Sequence, residues 1–580
     1  MSSKPLALIT AFGGINSAGR SSAHLSYKNL VFNSISEKEQ LEVLQDLAVM
    51  QGKIEPLGRA WETSSGDSID LKEFLTENSD EIRGDCMVRK LDRDIYDKDG
   101  IILDQIKASA AGQLPSGFDP SSLYPARQHP KALQMTVFGM GDALGQLGMS
   151  WKKVMDTISP DQIAVFSGAA IGQLDVFGFG GLMQSRIKGS RASSKNLALG
   201  LVEMSADFIN AYILGSVGRS GHNVGACATF LYNLQMGKEA IESGSARVVI
   251  VGGAEAPITP EIVDGFFAMS ALSDDKRMIE LQAQNNEDIS KGPIQERACR
   301  PFGNNVGMVL GESAQFIILM EDNLALELGA NIYGSVPSVA SHSDGYKSSI
   351  SGPGVGNYIT VAKCVADAEK ILGTKQLRNQ TFVHAHGTGT PANRTTESHI
   401  LNEVAKTYGI SSWPVTGIKS FLGHSMAPAS GDQLVTALGT WNKGIIPGIR
   451  STDNIAEDVY DDNLNILLED KIEDKNHFSA AFLNAKGFGG NNASALILSP
   501  EKSKELLKQK HSKNKMQIYE SNAQEAKVKA ERHNKYCLKG NYNVVYKFNE
   551  NVLQGETDVK LSKGEISLKG YKNSINLKKK

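Results

Sequence analysis

Short apolar runs, most of them closed by glycine, recur along the first 500 residues. They are "LALITAFGG" (6–14), "QIAVFSGAAIG" (162–172), "ARVVIVGGAEA" (246–256), "SAQFIILME" (313–321), "QTFVHAHGTG" (380–389) and "FSAAFLNAKGFGG" (478–490). Their apolarity is continuous rather than alternating, the pattern of strands covered on both faces. Helix-compatible stretches such as 229–243 and 360–373 lie between them. This order predicts an α/β fold, a mainly parallel sheet with helices on both sides. The glycine turns fall at the C-terminal ends of the predicted strands, where open α/β sheets place their ligands.

Two regions break the pattern. Residues 37–130 are polar, weakly periodic and turn-rich, as in "QLPSGFDPSSLYPARQHP" (113–130), and read as an insertion or lid. From 501 the chain begins a charged helix with little apolar face, "EKSKELLKQKHSKNKMQ". It then alternates in "YNVVYKFNENVLQGETDVKLSKGEISLKGY", which predicts two or three small strands. The final "KKK" reads as a solvated end.

The chain has 580 residues, enough for two domains or a duplicated unit with appendages. Its net charge of −3 conceals an asymmetry: residues 501–580 hold 19 basic and 9 acidic residues, the first 500 hold 42 and 55. A basic tail on an acidic body suggests recruitment of an acidic partner, folding against the body, or a solvated appendage. With one arginine and no recognition module, it does not point to nucleic acid. No apolar run approaches the roughly 20 residues of a membrane span. The opening "MSSKPLALITAFGG" reads as a strand entering a glycine turn and not as a secretory signal. Five scattered cysteines (Cys86, Cys227, Cys299, Cys364, Cys537), without C-x-x-C or metal spacing, predict a cytoplasmic protein with no metal site.

Candidate chemistry sits in the glycine turns. "GHNVGACATFLYNL" places Cys227 after a glycine-rich approach and at the start of a helix-compatible run. Unpaired N–H groups and the helix dipole there would lower a thiol pKa. Small neighbours would leave the sulfur accessible. A lone cysteine is also commonly a small buried residue, and this segment alone leaves both readings open. "HAHGTGTPANRTTE" puts His386 at a strand end, and "GIKSFLGHSMAPASG" puts Lys419 and His424 five residues apart in a tight turn. "NAKGFGGNNAS" offers exposed N–H groups that could hold an oxyanion.

In this order, "GACAT", "HGTGT", "KSFLGHS" and "GFGG" resemble the β-ketoacyl-acyl-carrier-protein synthases of the thiolase superfamily. The resemblance covers roughly residues 4–20 and 120–500, and "HGTGTPANRTTES" is similar to the long initiating type of some bacteria. It implies two βαβαβαββ halves in a five-layered α/β/α/β/α unit, here 1–310 and 311–500, followed by the tail 501–580. It implies a homodimer, an acyl carrier protein partner, acyl-CoA or acyl-carrier primers, malonyl-carrier as extender and no cofactor. Thioester substrates bring their own phosphopantetheine or coenzyme A. The reaction implied is decarboxylative condensation in fatty acid biosynthesis, with a short primer if the initiating likeness holds.

Carried over by residue, Cys227 matches the acyl-accepting nucleophile. Its N–H and that of Phe488 match the oxyanion hole, and Phe488 also matches the gate. His386 and His424 match the pair that assists decarboxylation, Lys419 the lysine supporting the second histidine, and Glu397 a structural brace. Thr388 and Thr390 match hydroxyls that contact the phosphopantetheine arm. Phe230, three residues after Cys227, would on a helix share its surface and could bound the acyl tunnel, or pack in the core. Three departures stand out: Arg394 where many members have an acid, Lys486 where an aromatic residue often precedes "GFGG", and "RPFGNN" without the aspartate after Pro-Phe. A degradative thiolase would need a second cysteine in the last glycine loop, which reads "NAKGFGG". A silent partner subunit would typically lack Cys227.

Overall fold

The computed structural model describes residues 4–58, 60–92, 108–349 and 352–578. The apolar runs become strands. In the first half these are β1 (Ala7–Asn16), β2 (Ile163–Gly168), β3 (Arg219–Gly221), β4 (Val248–Glu255) and β5 (Ser313–Glu321). The second half supplies β6 (Gly334–His342), β7 (Thr381–His384), β8 (Trp413–Thr416), β9 (Leu464–Ile466), β10 (Ala480–Gly487) and β11 (Asn491–Leu498).

The first half is ordered β1-β5-β4-β2-β3 and the second β6-β11-β10-β7-β8, with β9 at the outer edge. In each half the first strand is antiparallel to the last, and the last to the strand just before it in sequence. The remaining pairs are parallel. The duplication is thus plain as topology although no repeat is visible in the residues. β1 and β6 meet antiparallel through Leu8↔Ser335 and Ile9↔Gly334, joining the halves into one sheet, in which the short strand Gly19–Arg20, paired to the end of β1, is the twelfth.

Continuous apolarity is explained by the layers. Helix α1 (Lys131–Gln146) covers the outer face of β1 and β5. Helices α2 (Thr229–Glu242), α3 (Gly356–Leu372), α4 (Pro391–Tyr408) and α5 (Ala429–Lys443) follow. α2 and α5 fill the centre, packed on strands of both halves, while α3 and α4 cover the second outer face. This is the five-layered α/β/α/β/α arrangement of a thiolase-like fold. One boundary moves: Ser313–Glu321 pairs with both β1 and β4, so the first half runs past 310 to the turn before Gly334.

The insertion is a small folded appendage. Helices Glu37–Met50, Leu71–Glu77 and Ser79–Gly84 pack with a three-stranded sheet around Val43, Leu44, Leu47 and Ile82. None of its described residues lines the cavity presented below, so the lid expectation gains no support. Part of that span, 93–107, lies outside the described residues.

The tail differs most from expectation. Its second helix, α6 (Lys513–Cys537), buries a narrow stripe of Met516, Tyr519, Ala526, Ala530, His533 and Cys537. The stripe fits a groove of small residues on and just beyond α1. A side chain at Gly141, Gly145 or Gly148 would run into the Asn543 carbonyl, the His533 ring or the Ala526 carbonyl. "YNVVYKF" is not a strand. Tyr542 and Tyr546 leave it to pack edge-on and tilted against Phe118, Phe138, Tyr124 and Tyr212. The tail's strands come later, at Val559–Leu561, Glu565–Leu568 and Ile575–Asn576. Of the terminal "KKK", Lys579 and Lys580 lie outside the described residues. No single helix among the described residues is long and apolar enough to cross a membrane.

Candidate active site

Loops from both halves enclose a cavity of about 380 Å³. Cys227 enters from the first half, and His386, Thr388, Thr390, His424 and Phe488 from the second. Cys227 sits in a single turn, Ala226–Ala228, that leads into α2. Ala226 holds a left-handed φ of +50°, a conformation costly for a non-glycine residue and common at functional turns. The glycine after Lys486 is required by packing. A Cβ on Gly487 would lie 2.3 Å from the Gly225 carbonyl, so only glycine lets the "GFGG" loop reach the cysteine turn. The backbone N–H groups of Cys227 and Phe488 consequently both face the sulfur. The Phe488 ring lies tilted by 33° against Phe266, 5.8 Å between centroids, at the cavity wall.

The thiol pKa goes the opposite way to expectation. Cys227 is 8% exposed in an apolar shell that includes Phe266, Met308, Met426 and Phe488. Burial outweighs Lys419 and the two N–H groups and pushes the thiol up to about 11. The N–H groups and the lysine are therefore poised for negative charge that develops during reaction, not for a resting thiolate.

The histidine rings lie edge to face, 5.5 Å between centroids. His424 Nδ1 accepts the Met426 N–H at 3.2 Å, which places the ring proton on Nε2. That Nε2 is buried and has no protein partner, at the cavity wall. Burial, then the Lys419 charge, hold both imidazoles well below the ordinary histidine pKa, so they are neutral donors.

Glu397, inside α4, accepts His386 N–H at 2.6 Å and Gly387 N–H at 2.9 Å. Asn393 and Asn484 also donate to it, at 2.9 and 2.7 Å. It fixes the backbone of the "HGTGT" turn. Lys419 donates to the His386 carbonyl, so it supports the first histidine and not the second. The Thr388 and Thr390 hydroxyls are 3.1 Å apart on the wall. Phe230 is not a wall: it is fully buried between α2 and α5, facing Gly431.

The departures are neighbours. Arg394 forms a bidentate pair with Asp458 (2.7 and 3.0 Å) and donates to the Gly303 carbonyl and Asn305. Gly303 is the position after Pro-Phe, so the two unusual residues are adjusted to each other. Lys486 lines the cavity.

The sequence reading missed Glu255. Its buried carboxylate accepts N–H groups of Ala170, Ile171 and Ala427, tying the "GAAIG" turn to the loop after His424. Burial raises it to about 7. A carboxylate closing the otherwise apolar "VVIVGGAE" was the available signal, since buried acids need partners. One potential three-ligand set among the described residues, Asp142, His533 and Cys537, lies under the tail. Arg20, 3.4 Å from Asp142, would repel a cation there.

Comparison with known proteins agrees with this geometry. Residues 64–325 match the family model "Beta-ketoacyl synthase, N-terminal domain", and 333–453 match its C-terminal domain. The chain is 40% identical to the β-ketoacyl-[acyl-carrier-protein] synthase FabY of Pseudomonas aeruginosa, over 99% of this chain and 98% of that protein. The crystal structure of that ketosynthase superposes with a TM-score of 0.95, covering 100% of this chain and 98% of the other. A 3-oxoacyl-[acyl-carrier-protein] synthase 2 of Staphylococcus aureus is 29% identical over 57% of this chain and 76% of its own. A β-ketoacyl synthase structure from Burkholderia phymatum, 18% identical, shares the fold at a TM-score of 0.60 over 85% of this chain and 99% of that one. The chain belongs to the β-ketoacyl synthase family.

Proposed function

We propose that this chain is a 3-oxoacyl-[acyl-carrier-protein] synthase of fatty acid biosynthesis. The observation that carries the reading is one cavity holding a cysteine under two backbone N–H groups beside two neutral histidine donors. In the first step the Cys227 sulfur attacks the primer thioester carbonyl. The oxyanion is held by the N–H groups of Cys227 and Phe488, and the carrier thiol leaves with the proton of Cys227. Malonyl-carrier then loses CO₂, and the charge moves to an enolate oxygen facing His386 and His424. The enolate carbon attacks the acyl-cysteine carbonyl, a C–C bond forms, and the Cys227 thiolate departs and takes a proton from solvent. Thr388 and Thr390 are assigned to the phosphopantetheine arm.

We assign a short primer: the pocket bounded by Leu91, Ala108, Ile258, Val263, Leu272 and Met308, beside the apolar cluster of the cysteine but not lined by Cys227, has a free volume of only about 10 Å³. An acyl carrier protein is the natural donor. A homodimer is assigned to the edge of β3, where the strand's outer side has no partner among the described residues and Val217 and Val224 are exposed. The test is incubation with malonyl-carrier protein and primers from C2 to C12, with mass spectrometry of the Cys227 peptide. Acetyl on Cys227 and a C4 β-ketoacyl product are expected. Preferential loading of C8–C12 would overturn the short-primer assignment.

A further inference from the structure

Lys486 lines the cavity and has no part in the steps above. Lys486 is the last residue of β10 before Gly487, whose backbone abuts the cysteine turn. Its ammonium donates to Thr396 Oγ1 at 2.7 Å, a neutral partner on α4. The other charges of the wall are differently placed: Lys347 stands 3.1 Å from Asp344, which also takes the N–H of Gly356 and the amide of Asn492. Among the described residues no carboxylate lies within 4.0 Å of the Lys486 ammonium. A largely buried cation with only a hydroxyl partner is costly unless an anion completes it.

The proposed reaction brings such an anion once per cycle. The acyl primer is neutral at its reacting end, the malonyl group carries a carboxylate, and the product is neutral after CO₂ has left. We infer that Lys486 is a substrate-binding residue that receives the malonyl carboxylate and so selects the extender over a second primer. The inference rests on the condensing reading above. Because the carboxylate is lost before the C–C bond forms, the lysine helps the bound ground state more than the transition state. Removing it should therefore raise KM without lowering kcat. Burial lowers the lysine's pKa, while Glu397 and Asp344 act to keep the charge.

The test compares Lys486→Met with the wild-type enzyme, using malonyl-carrier protein as substrate and a malonamoyl thioester as inhibitor. The carboxamide has the same shape, no charge and cannot decarboxylate. A charge-assisted hydrogen bond predicts a rise in malonyl KM of about tenfold in the variant, with the malonamoyl inhibition constant moving less than about twofold. Lys486→Gln, which keeps a donor for Thr396 without the charge, should show the same split if Lys486→Met folds poorly. Both constants rising together would mean a structural role and overturn the inference, as would neither rising. Either result leaves condensation by the wild type intact. A wild-type enzyme that loads no primer and condenses nothing would instead overturn the reading beneath it.

Discussion

At the active site, Cys227, His386, His424 and Lys419 are buried around a cavity. Under the tail, Cys537, His533, Asp142 and Arg20 are buried around one another. Residue types are nearly the same, and the hydrogen bonds are not. In the first cluster a histidine Nε2 has no protein partner, and two N–H groups converge on a sulfur. In the second, Asp142 accepts from Gly14, Ser22 and Arg20, and His533 Nε2 lies 3.4 Å from the same carboxylate. Arg20 also binds Asp46 at 2.9 Å. One Asp46 oxygen is its only unpaired carboxylate atom. A buried donor left open beside a void is available to a substrate. A closed network holds elements together.

The largest test of that contrast exchanges each cysteine. Cys227→Ala should lower condensation by more than about 10³-fold while the thermal midpoint hardly moves, because the attacking atom is gone and alanine suits the turn. Cys537→Ala should leave turnover within about twofold. Its small cavity costs on the order of 1–2 kcal/mol of stability. Comparable loss of activity in both variants would abolish the distinction. The histidines come next. His424→Ala should retain acylation of Cys227 but slow malonyl decarboxylation about 10²–10³-fold, the range for removing one oxyanion donor. His533→Ala should change the unfolding midpoint and not the decarboxylation rate.

Asp142→Ala probes the closed network directly. It leaves Arg20 with Asp46, Ser22 and Asn534 but removes the acceptor of the buried Gly14 and Ser22 N–H groups, and each buried donor left unsatisfied costs about 1–3 kcal/mol. Denaturant unfolding should register that loss, and trypsin should cut at Lys529 and Arg532 of α6, which docking protects in the parent. If α6 stays resistant, the cluster is not what docks the tail. By the same reasoning, a chain ending at Pro500 should lose stability outright, since it would expose the Gly141, Gly145 and Gly148 groove.

The contrast also explains what could be read in advance. The catalytic motifs are local: a strand end, a glycine turn and one reactive side chain lie within ten residues of each other, so "GACAT", "HGTGT" and "GFGG" announce themselves. The tail's docking is divided between a helix face of Ala, Met, Tyr and His and a glycine groove about 400 residues earlier, from Gly141 to His533. Neither half looks apolar alone, so the sequence leaves folding against the body open beside recruitment of a partner and a solvated appendage. The alternating "YNVVYKF" predicts a strand, but its tyrosines find aromatic partners in Phe138 of α1 and in Phe118, Tyr124 and Tyr212 around it instead. The 310 boundary failed for a related reason: β5 is far from β1 in sequence and adjacent in space.

The smallest effect expected is in pH dependence, and it separates the clusters by sign and window. Burial holds His386 and His424 well below the ordinary value of about 6.5, so both are neutral donors across the neutral range. Malonyl decarboxylation should show no histidine step near 6.5 between pH 8 and 6; a step in that range belongs to Glu255, held at about 7. Folding depends on the same difference. A histidine whose folded pKa is depressed contributes stability that is full above about 6.5 and declines as pH falls toward the folded value. His384, held by burial at about 3, adds to this on the same strand. Asp142 behaves otherwise. Burial raises it, but the His533 hydrogen bond and Arg20 charge prevail and lower it below the usual carboxylate value. Its contribution is full above about 3.9 and is lost only as pH falls further. Between pH 6 and 4.5, hydrogen exchange should therefore quicken around His384–His386 and His424 before it quickens in α6. Opening of α6 first would show that the tail junction, and not the catalytic half, is the acid-sensitive part.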